Sequence, residues 1–218
     1  MNQSVKEIVQ WLASLDERHI VLGYGSLLSK DSRERFSNIF TKGIPVTVEG
    51  FERAWVTRSE QEKQTYVGAV PSSSTQLNAQ LIPAQLSPAL QQRERDYRFV
   101  QVKHKHILPN VAATLSANSD DSDTDMTVFH QALAPFSVWI CETLACAEAT
   151  AAYPVNQSYI DTCLAGCLEH GGRDEAKAFI DLTRCWEHPR VNDRASPNYP
   201  RAANVSREIT EVIDELLL

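Results

Sequence analysis

The sequence predicts an α+β protein: a small mixed β-barrel or strongly curved sheet flanked by helices, with a helical C-terminal extension. Short runs rich in β-branched and aromatic residues occupy the first two thirds of the chain, and helical patterns occupy the last third. No internal repeat interrupts this order. Strands that come first and helices that come last, rather than in alternation, are typical of α+β proteins.

Length and composition favour one domain. The chain has 218 residues, of which 43% are hydrophobic and 22% charged, as in an ordinary soluble protein with a sizeable core. We assign residues 1–218 to a single domain, with a core over about 19–141 and a helical extension over about 154–218. The net charge of −7 argues against binding nucleic acid through a broad basic surface, so no nucleic-acid partner is expected.

The N-terminal segment and the cysteines indicate a cytoplasmic protein. Lys6 and Glu7 interrupt any apolar core of a signal peptide, and Ser4 with Glu7 forms a capping box for an amphipathic helix. No apolar run approaches the roughly 18 residues of a membrane span, so no membrane partner is expected. The five cysteines all lie between residues 141 and 185, and an odd number without a secretory signal favours reduced thiols.

The first half of the chain predicts strands around one short helical segment. Glycine, proline and serine clusters set the boundaries, and alternation of apolar and polar residues marks the strands. The predicted elements are a strand over His19–Tyr24, helical turns over Ser29–Phe36, two short strands or one bent strand over Gly43–Arg58, a strand over Tyr66–Val70, a loop over 71–80, and a strand over Leu77–Gln85 within or after that loop.

The second half changes from strands to helices. Ser87 followed by Pro88 is a helix start, because serine caps the first turn and proline fits its first position. The remaining predicted elements are a strand over Tyr97–Ile107, an acidic loop over Ser116–Asp125, a strand over Phe136–Cys141, helices over Asn156–Glu169, Asp174–Trp186 and Val205–Leu217, and a proline-rich surface segment over 188–202.

The segment Val21–Leu28, VLGYGSLL, breaks a buried strand with two glycines around a tyrosine. A tight turn is the simpler interpretation. The alternative is a loop whose backbone N–H groups approach an anion, since glycine permits positive φ and leaves no side chain in the way. The third glycine of a dinucleotide-binding motif would fall at Leu28, so that motif is absent.

Glu94 is the second candidate, in the run LQQRERDY at the end of the predicted helix. A helix C-terminus carries partial negative charge, and partial burial also disfavours a carboxylate, so both would raise the pKa of Glu94. A glutamate of this kind can act as a general base near neutral pH. Taken alone, a solvated charge within a charged run is the better interpretation of this residue.

The two segments together resemble the γ-glutamylcyclotransferase-like (AIG2-like) family. Tyr24-Gly25-Ser26-Leu27 matches the family's YGS[N/L]L-type loop, and Leu90-x-x-x-Glu94-x-x-Tyr97 resembles its glutamate helix. The segment GFERAW at 50–55 looks like the strand between them, and the match covers roughly residues 19–141. The tail, with QSY at 157–159 and DRxxPxYPR at 193–201, looks like a bacterial branch.

The resemblance implies a specific reaction. A γ-glutamyl substrate cyclises to 5-oxoproline and releases an amine or amino acid, an intramolecular acyl transfer of the amine-releasing lyase class. It implies Glu94 as the base, substrate binding by Tyr24, Gly25, Ser26 and Leu27, and an orienting role for Tyr97. It implies no cofactor and no metal. A non-catalytic module that binds an acidic γ-glutamyl-like molecule is the alternative.

Two departures from the family pattern bear on the substrate. Leu27 stands where glutathione-pathway members often have asparagine, and this leucine looks more like branches acting on glutathione itself or on γ-glutamylamines. Arg95 stands where the family frequently has glycine after the glutamate. The substrate therefore stays open among γ-glutamyl amino acids, γ-glutamylamines and glutathione, and the oligomeric state stays open as well.

Other constellations are weaker. Cys163, Cys167 and His170 share a predicted helix face, but metal sites more often use closely spaced cysteine pairs from turns. The run Asp121-x-Asp123-x-Asp125 begins like a calcium loop but lacks its glycine and its final glutamate. His104 and His106 are expected on one exposed strand face. A thiol-dependent enzyme that uses the C-terminal cysteines is a third interpretation.

Overall fold

The computed structural model describes residues 3–110 and 119–218, with side chains for 4–110 and 124–218. The strands are β1 His19–Gly23, β2 Ile44–Ser59, β3 Gln64–Pro83, β4 Tyr97–Gln101, β5 Ile107–Pro109, β6 Ser137–Thr143, β7 Val155–Asn156, β8 Thr183–Arg184 and β9 Arg190–Val191. The helices are α1 Gln3–Ala13, α2 Lys30–Ser37, α3 Pro88–Arg93, α4 Ser119–Leu133, α5 Gln157–Asp181 and α6 Arg207–Leu216, with 3₁₀ turns at Ser26–Leu28 and His104–His106.

The core is a mixed sheet that curls on itself. Its strand order is β4–β6–β1–β3–β2–β5, and β8 joins through β2. Strand β1 lies between β6, to which it is parallel, and β3, to which it is antiparallel. Where β1 ends, β6 reaches β3 directly through Ala69 and Glu142. The predicted α+β fold with a curved mixed sheet is confirmed, and the curl leaves an opening just beyond the end of β1.

Strand β2 is one bent strand, the second of the two structures predicted for this region. The bend falls at Gly50, whose φ is +87°, and the register with β3 shifts between Glu49 and Phe51. Glu49 pairs with Gln76 and Phe51 pairs with Pro71. The predicted loop at 71–80 is therefore wrong, because Pro71 and residues 76–80 pair with β2 and carry the serine-rich residues 72–75 between them within the 20-residue strand β3.

Three other boundaries differ from the prediction. The strand from Tyr97 ends at Gln101, and His104 and His106 lie in a 3₁₀ turn rather than on one strand face. The helix predicted to reach Trp186 ends at Asp181, because the next residues pair with β2. The acidic segment predicted as a loop begins helix α4 from Ser119, while residues 116–118 and the side chains of Asp121 and Asp123 lie outside the described part.

Helices cover the curled sheet and hold the turn after β1. The apolar face of α1, including Val5, Ile8 and Leu12, is buried in the core. Helix α5 packs on the 3₁₀ turn Ser26–Leu28, and a Cβ at Gly166 would lie 2.3 Å from the Leu28 carbonyl carbon. The helical path of α5 breaks at Gly172, close to the predicted break, and the segment beyond carries the chain back to β2.

Candidate active site

Tyr24 fills the opening beyond the end of β1. Its side chain is 5% exposed, and its hydroxyl donates a hydrogen bond to the carbonyl oxygen of Cys141 on β6. The same hydroxyl accepts a hydrogen bond from the Ala69 N–H on β3 at 3.1 Å. The Tyr24 hydroxyl thus connects β6 and β3, the two strands on either side of β1. These hydrogen bonds fix the position of Tyr24, from which the following loop starts.

Two buried arginines hold the carbonyl groups of the loop that follows. Arg53 Nη1 donates to the Tyr24 carbonyl oxygen at 3.2 Å, and Arg33 Nη1 donates to the Leu27 and Leu28 carbonyl oxygens at 2.7 and 2.9 Å. The N–H groups of Ser26 and Leu27 lie in the first turn of the 3₁₀ helix, where no intrahelical acceptor exists. No other acceptor is found for them among the described residues, so they remain available to a ligand.

The glycines of this loop serve close packing rather than positive φ. Gly25 has a φ of −128°, and Gly23 is not among the positive-φ glycines. A Cβ at Gly25 would lie 2.8 Å from the Tyr159 hydroxyl oxygen and 3.0 Å from Val67 Cγ2. The expected use of positive φ is therefore wrong here. Glycine is required because α5 and β3 both reach the loop backbone.

Glu94 lies at the C-terminal end of α3. Ser87 caps this helix by accepting from the Leu90 N–H at 3.2 Å, and the Glu94 N–H donates to the Leu90 carbonyl at 3.0 Å. The Glu94 side chain is 11% exposed, and Arg93 Nε lies 3.3 Å from its carboxylate. Burial raises the pKa of Glu94, while Arg93, Arg201 and the Cys141 thiol partly offset that rise.

One cavity brings the loop and Glu94 together. Its lining includes Tyr24, Gly25, Ser26, Leu27, Arg93, Glu94, Tyr97, Cys141, Tyr159, Tyr199 and Arg201. Its volume is about 30 Å³, which is room for about two water molecules. All six residues singled out in the sequence as catalytic or substrate-binding candidates thus border the same space.

Tyr97 is fixed to the wall of the cavity. Its hydroxyl donates to the Val67 carbonyl oxygen at 2.7 Å, and its backbone N–H donates to the Glu94 carbonyl oxygen at 2.9 Å. No hydrogen bond links the Tyr97 hydroxyl to the Glu94 carboxylate among the described residues. Tyr97 therefore sets the position of Glu94 through the backbone and contributes an aromatic wall to the cavity.

The C-terminal extension supplies side chains that the sequence did not identify as site residues. Tyr159 lies in the first turn of α5, and Tyr199 and Arg201 come from the proline-rich segment that was predicted to cross the surface. The rings of Tyr66, Tyr159 and Tyr199 pack together, with centroids 4.7 to 5.5 Å apart. Tyr199 is only 2% exposed, so this part of the extension belongs to the core.

Comparison with solved structures supports the resemblance at the level of the fold. No protein-family model and no curated sequence matches the chain. A structure titled gamma-glutamyl cyclotransferase matches over 90% of this chain and 98% of its own, with a TM-score of 0.51 at 11% identity. The chain has the γ-glutamyl cyclotransferase fold. Its similarity in sequence to these structures is low, so the shared property is the architecture.

Two further structures share the γ-glutamyl cyclotransferase fold of this chain. YkqA from Bacillus subtilis has a TM-score of 0.54 at 13% identity, and the match covers 85% of this chain but 60% of YkqA. An uncharacterised protein from Homo sapiens has a TM-score of 0.50 at 10% identity, over 89% of this chain and 97% of that one. The fold therefore recurs in chains of different length.

The other candidate sites of this cyclotransferase-like fold remain separate from the cavity. Cys163 and Cys167 are fully buried in α5, and burial raises the pKa of Cys163 to about 12, which disfavours a reactive thiolate. Within the described residues, no group of three or more histidine, cysteine or acidic side chains is arranged to hold a metal ion. No helix in the same residues is both long enough and apolar enough to span a membrane.

Proposed function

We propose that this protein is a γ-glutamylcyclotransferase-like enzyme that converts a γ-glutamyl substrate to 5-oxoproline and releases an amine or amino acid. One observation carries the proposal. In a chain with the γ-glutamyl cyclotransferase fold, the nearly buried Glu94 and the loop residues Tyr24–Leu27 border the same cavity. A proton acceptor and a loop with two unpaired backbone N–H groups therefore line one small space.

Proton transfer is the main chemical task in this reaction. The substrate's α-amino nitrogen attacks its own γ-carbonyl carbon, a C–N bond forms in the five-membered lactam, and the bond to the departing nitrogen breaks. At neutral pH the amine is mostly protonated, because an α-amino group has a pKa near 8. The ammonium loses two protons as it becomes the lactam N–H, and the departing amide nitrogen gains two as it leaves as an ammonium ion. Glu94 accepts these protons in turn and passes them to the departing nitrogen, so no water or cofactor is consumed.

Orientation is the second task. Because the reaction is intramolecular, holding the chain of the γ-glutamyl group in its cyclising conformation removes much of the entropic barrier. The free N–H groups of Ser26 and Leu27 are suited to hold either the γ-glutamyl carboxylate or the oxyanion that develops on the γ-carbonyl. Arg33 and Arg53 fix the carbonyl groups of the loop, so these donors need little reorganisation.

Substrate binding requires side chains at the rim of the cavity to move. A γ-glutamyl group is larger than about 30 Å³, and interface side chains commonly change rotamer on binding. Arg201 at the rim is 19% exposed, whereas Arg93 beside Glu94 is 4% exposed. We therefore expect the rim to open while the wall around Glu94 stays fixed.

A substrate panel tests the proposal. Purified protein is incubated with γ-glutamyl amino acids, γ-glutamylamines and glutathione, and 5-oxoproline is measured by mass spectrometry at high enzyme concentration. Release of 5-oxoproline from at least one class is the expected result, with the Glu94→Gln protein as the blank. Binding of these compounds without any product would favour the alternative, a non-catalytic module for γ-glutamyl-like molecules.

A further inference from the structure

The C-terminal extension is tied firmly over the cavity. Asp193 accepts hydrogen bonds from the Ser158 and Asn198 N–H groups, both at 2.7 Å, and from the Ser158 hydroxyl at 2.6 Å. The Ser32 hydroxyl donates to the Arg201 carbonyl oxygen at 2.9 Å. The backbone that carries Arg201 is therefore held from both α5 and α2, and its side chain starts from a defined position.

The Arg201 guanidinium group makes only two hydrogen bonds to the described residues, and both are long. Its Nε lies 3.2 Å from the Tyr199 hydroxyl and its Nη1 lies 3.3 Å from Glu62 Oε1, both long contacts. No acceptor for Nη2 is found among the described residues. Arginine can present two parallel N–H donors to one carboxylate. In Arg201, Nε and Nη1 donate to two different groups, so no carboxylate receives two parallel hydrogen bonds from this guanidinium.

Its partner Glu62 is shared with other groups. Arg95 Nη2 lies 3.0 Å from the same Glu62 oxygen, closer than Arg201, and the Tyr66 hydroxyl donates to the other oxygen. One carboxylate thus serves two guanidinium groups. Arg95 has a second carboxylate neighbour, Asp96, at 4.0 Å, whereas the only carboxylate paired with Arg201 among the described residues is the shared Glu62. Of the two arginines, Arg201 is the one that borders the cavity.

The exposure of the lining side chains distinguishes an inner end of the cavity from its rim. Arg93 and Glu94 form the inner end, with 4% and 11% of their side chains exposed, and Arg201 with 19% lies further out. In the proposed reaction Glu94 reaches both the attacking and the departing nitrogen, so the rest of the departing group, beyond its nitrogen, points away from Glu94. That group therefore extends toward Arg201 and the rim.

We infer that Arg201 binds a carboxylate of the departing group, so that the preferred substrates are γ-glutamyl amino acids or peptides rather than γ-glutamylamines. This inference rests on the proposed function. A peptide such as glutathione and a single amino acid share the required chemistry, a carboxylate beyond the scissile bond. An amine lacks it and leaves Arg201 without a ligand.

A pair of matched substrates tests this role. Turnover of γ-glutamylalanine and γ-glutamylethylamine, which differ by the carboxylate, is compared in the wild type, Arg201→Gln and Arg95→Gln. We expect the wild type to favour γ-glutamylalanine, and Arg201→Gln to lose about 10- to 100-fold of kcat/KM on it, the range for one charge-assisted contact, with little change on the amine. Arg95→Gln removes a cation from the same Glu62 but not from the cavity, so it should keep the preference.

Several results would overturn the inference. An equal loss on both substrates would place the γ-glutamyl carboxylate at Arg201 instead. A wild-type preference for the amine, or loss of preference in Arg95→Gln alone, would also exclude the role. Arg201→Lys, which keeps the charge but not the bidentate fork, should retain part of the preference if the protein with glutamine is poorly folded.

A binding measurement separates this inference from the proposed function. Calorimetric titration of the Glu94→Gln protein with the same two compounds should show tighter binding of γ-glutamylalanine, and adding Arg201→Gln should abolish that difference. A preference that depends on Arg201 without any turnover in the wild type would contradict the proposed reaction alone. Turnover in the wild type without an effect of Arg201 on either measurement would contradict the inference alone.

Discussion

The Tyr24 hydroxyl donates a hydrogen bond to the Cys141 carbonyl oxygen across the point where β1 ends. The Tyr24 hydroxyl oxygen also accepts a hydrogen bond from the Ala69 N–H on the opposite strand at 3.1 Å. The curl of the sheet therefore depends on a side chain from the loop that borders the cavity. Fold and candidate site share this residue, and its loss should affect both.

Tyr24→Phe should lower the free energy of unfolding by about 1–3 kcal/mol, the cost of leaving buried backbone groups unpaired. It removes the acceptor of the Ala69 N–H and the donor to the Cys141 carbonyl while keeping the ring. Urea unfolding followed by circular dichroism measures this loss. Tyr153→Phe is the matched control, because its hydroxyl bonds exposed side chains and its removal should cost less than about 0.5 kcal/mol. Equal costs for the two variants would contradict the structural role of Tyr24.

Glu94→Gln should reduce turnover about a hundred-fold or more, because glutamine keeps the shape of the side chain but cannot accept the proton. Steady-state release of 5-oxoproline from the best substrate measures this change, and circular dichroism confirms folding. Glu175→Gln is a suitable control. Burial raises the pKa of Glu175 as well, but this carboxylate bonds Asn78 and Asn110 away from the cavity. Wild-type turnover in folded Glu94→Gln would exclude Glu94 as the base.

Local sequence signals predicted the elements that carry the first half of the site. The glycine break after β1, the Ser87 cap before Pro88 and the bend at Gly50 all depend on residues near in sequence. The continuity of β3 was missed, because its serine-rich middle lies in the strand only through the pairing of Pro71 and Gln76, on either side of it, with β2. The local sequence of this segment carries no information about its pairing with β2.

The tail residues of the site were missed for the same reason. Tyr199 and Arg201 lie in a proline-rich segment whose local composition indicates a surface crossing. Their place at the cavity depends on the link from Asp193 to Ser158, which are 35 positions apart, and on the return of the chain to α2. The aromatic ring of Tyr199 and the nearby Arg201 were the sequence features that could have indicated a site, but neither predicts which part of the fold the segment packs against.

Gly25→Val should strongly reduce turnover, because the valine side chain would clash with neighbouring residues. The new Cβ would lie 2.8 Å from the Tyr159 hydroxyl and 3.0 Å from Val67 Cγ2, closer than side chains pack. We expect turnover to fall at least about ten-fold even when the protein remains folded, because shifts of about 1 Å at a reacting centre have large effects. Combining Gly25→Ala with Tyr159→Phe removes one of the two contacts, so that pair should recover part of the activity lost in Gly25→Ala. No recovery would indicate that Tyr159 is not the obstacle.

Cys163→Ser, Cys167→Ser and the double change should retain most activity. Both thiols are fully buried in α5 and neither borders the cavity, so the exchange should cost stability through a buried hydroxyl rather than chemistry. A chelator should have no effect, since the proposed cyclisation requires no Lewis acid. Activity and melting temperature are measured side by side for each variant. Loss of activity in the folded cysteine variants, or in the presence of a chelator, would contradict the assignment of the active site to Glu94 and the Tyr24–Leu27 loop.

The pH dependence of stability tests the environment of Glu94. Burial raises the pKa of this carboxyl in the folded state, and Arg93 and Arg201 offset only part of the rise. The folded protein then binds a proton more tightly than the unfolded chain, so the contribution of Glu94 is fully present below the ordinary glutamate pKa, near 4.3, and is lost as pH rises through the higher folded value. Relative to Glu94→Gln, the wild type should therefore become less stable as pH increases from about 4 to 8, by about 1.4 kcal/mol for each unit by which the folded pKa exceeds the unfolded one.

Chemical denaturation of the wild type and Glu94→Gln at several pH values measures this difference. Subtracting the two curves removes the titration of groups that the proteins share, so the remaining slope belongs to Glu94 and the residues coupled to it. Surface Glu211→Gln on α6 is the control and should give a nearly flat difference, because its pairing with Arg207 is exposed. A wild-type advantage that grows with pH would mean that Arg93 and Arg201 outweigh burial and hold the folded pKa of Glu94 below its ordinary value. A carboxylate stabilised in that way would be a weaker base, and the proposed proton transfer would lose its main electrostatic support.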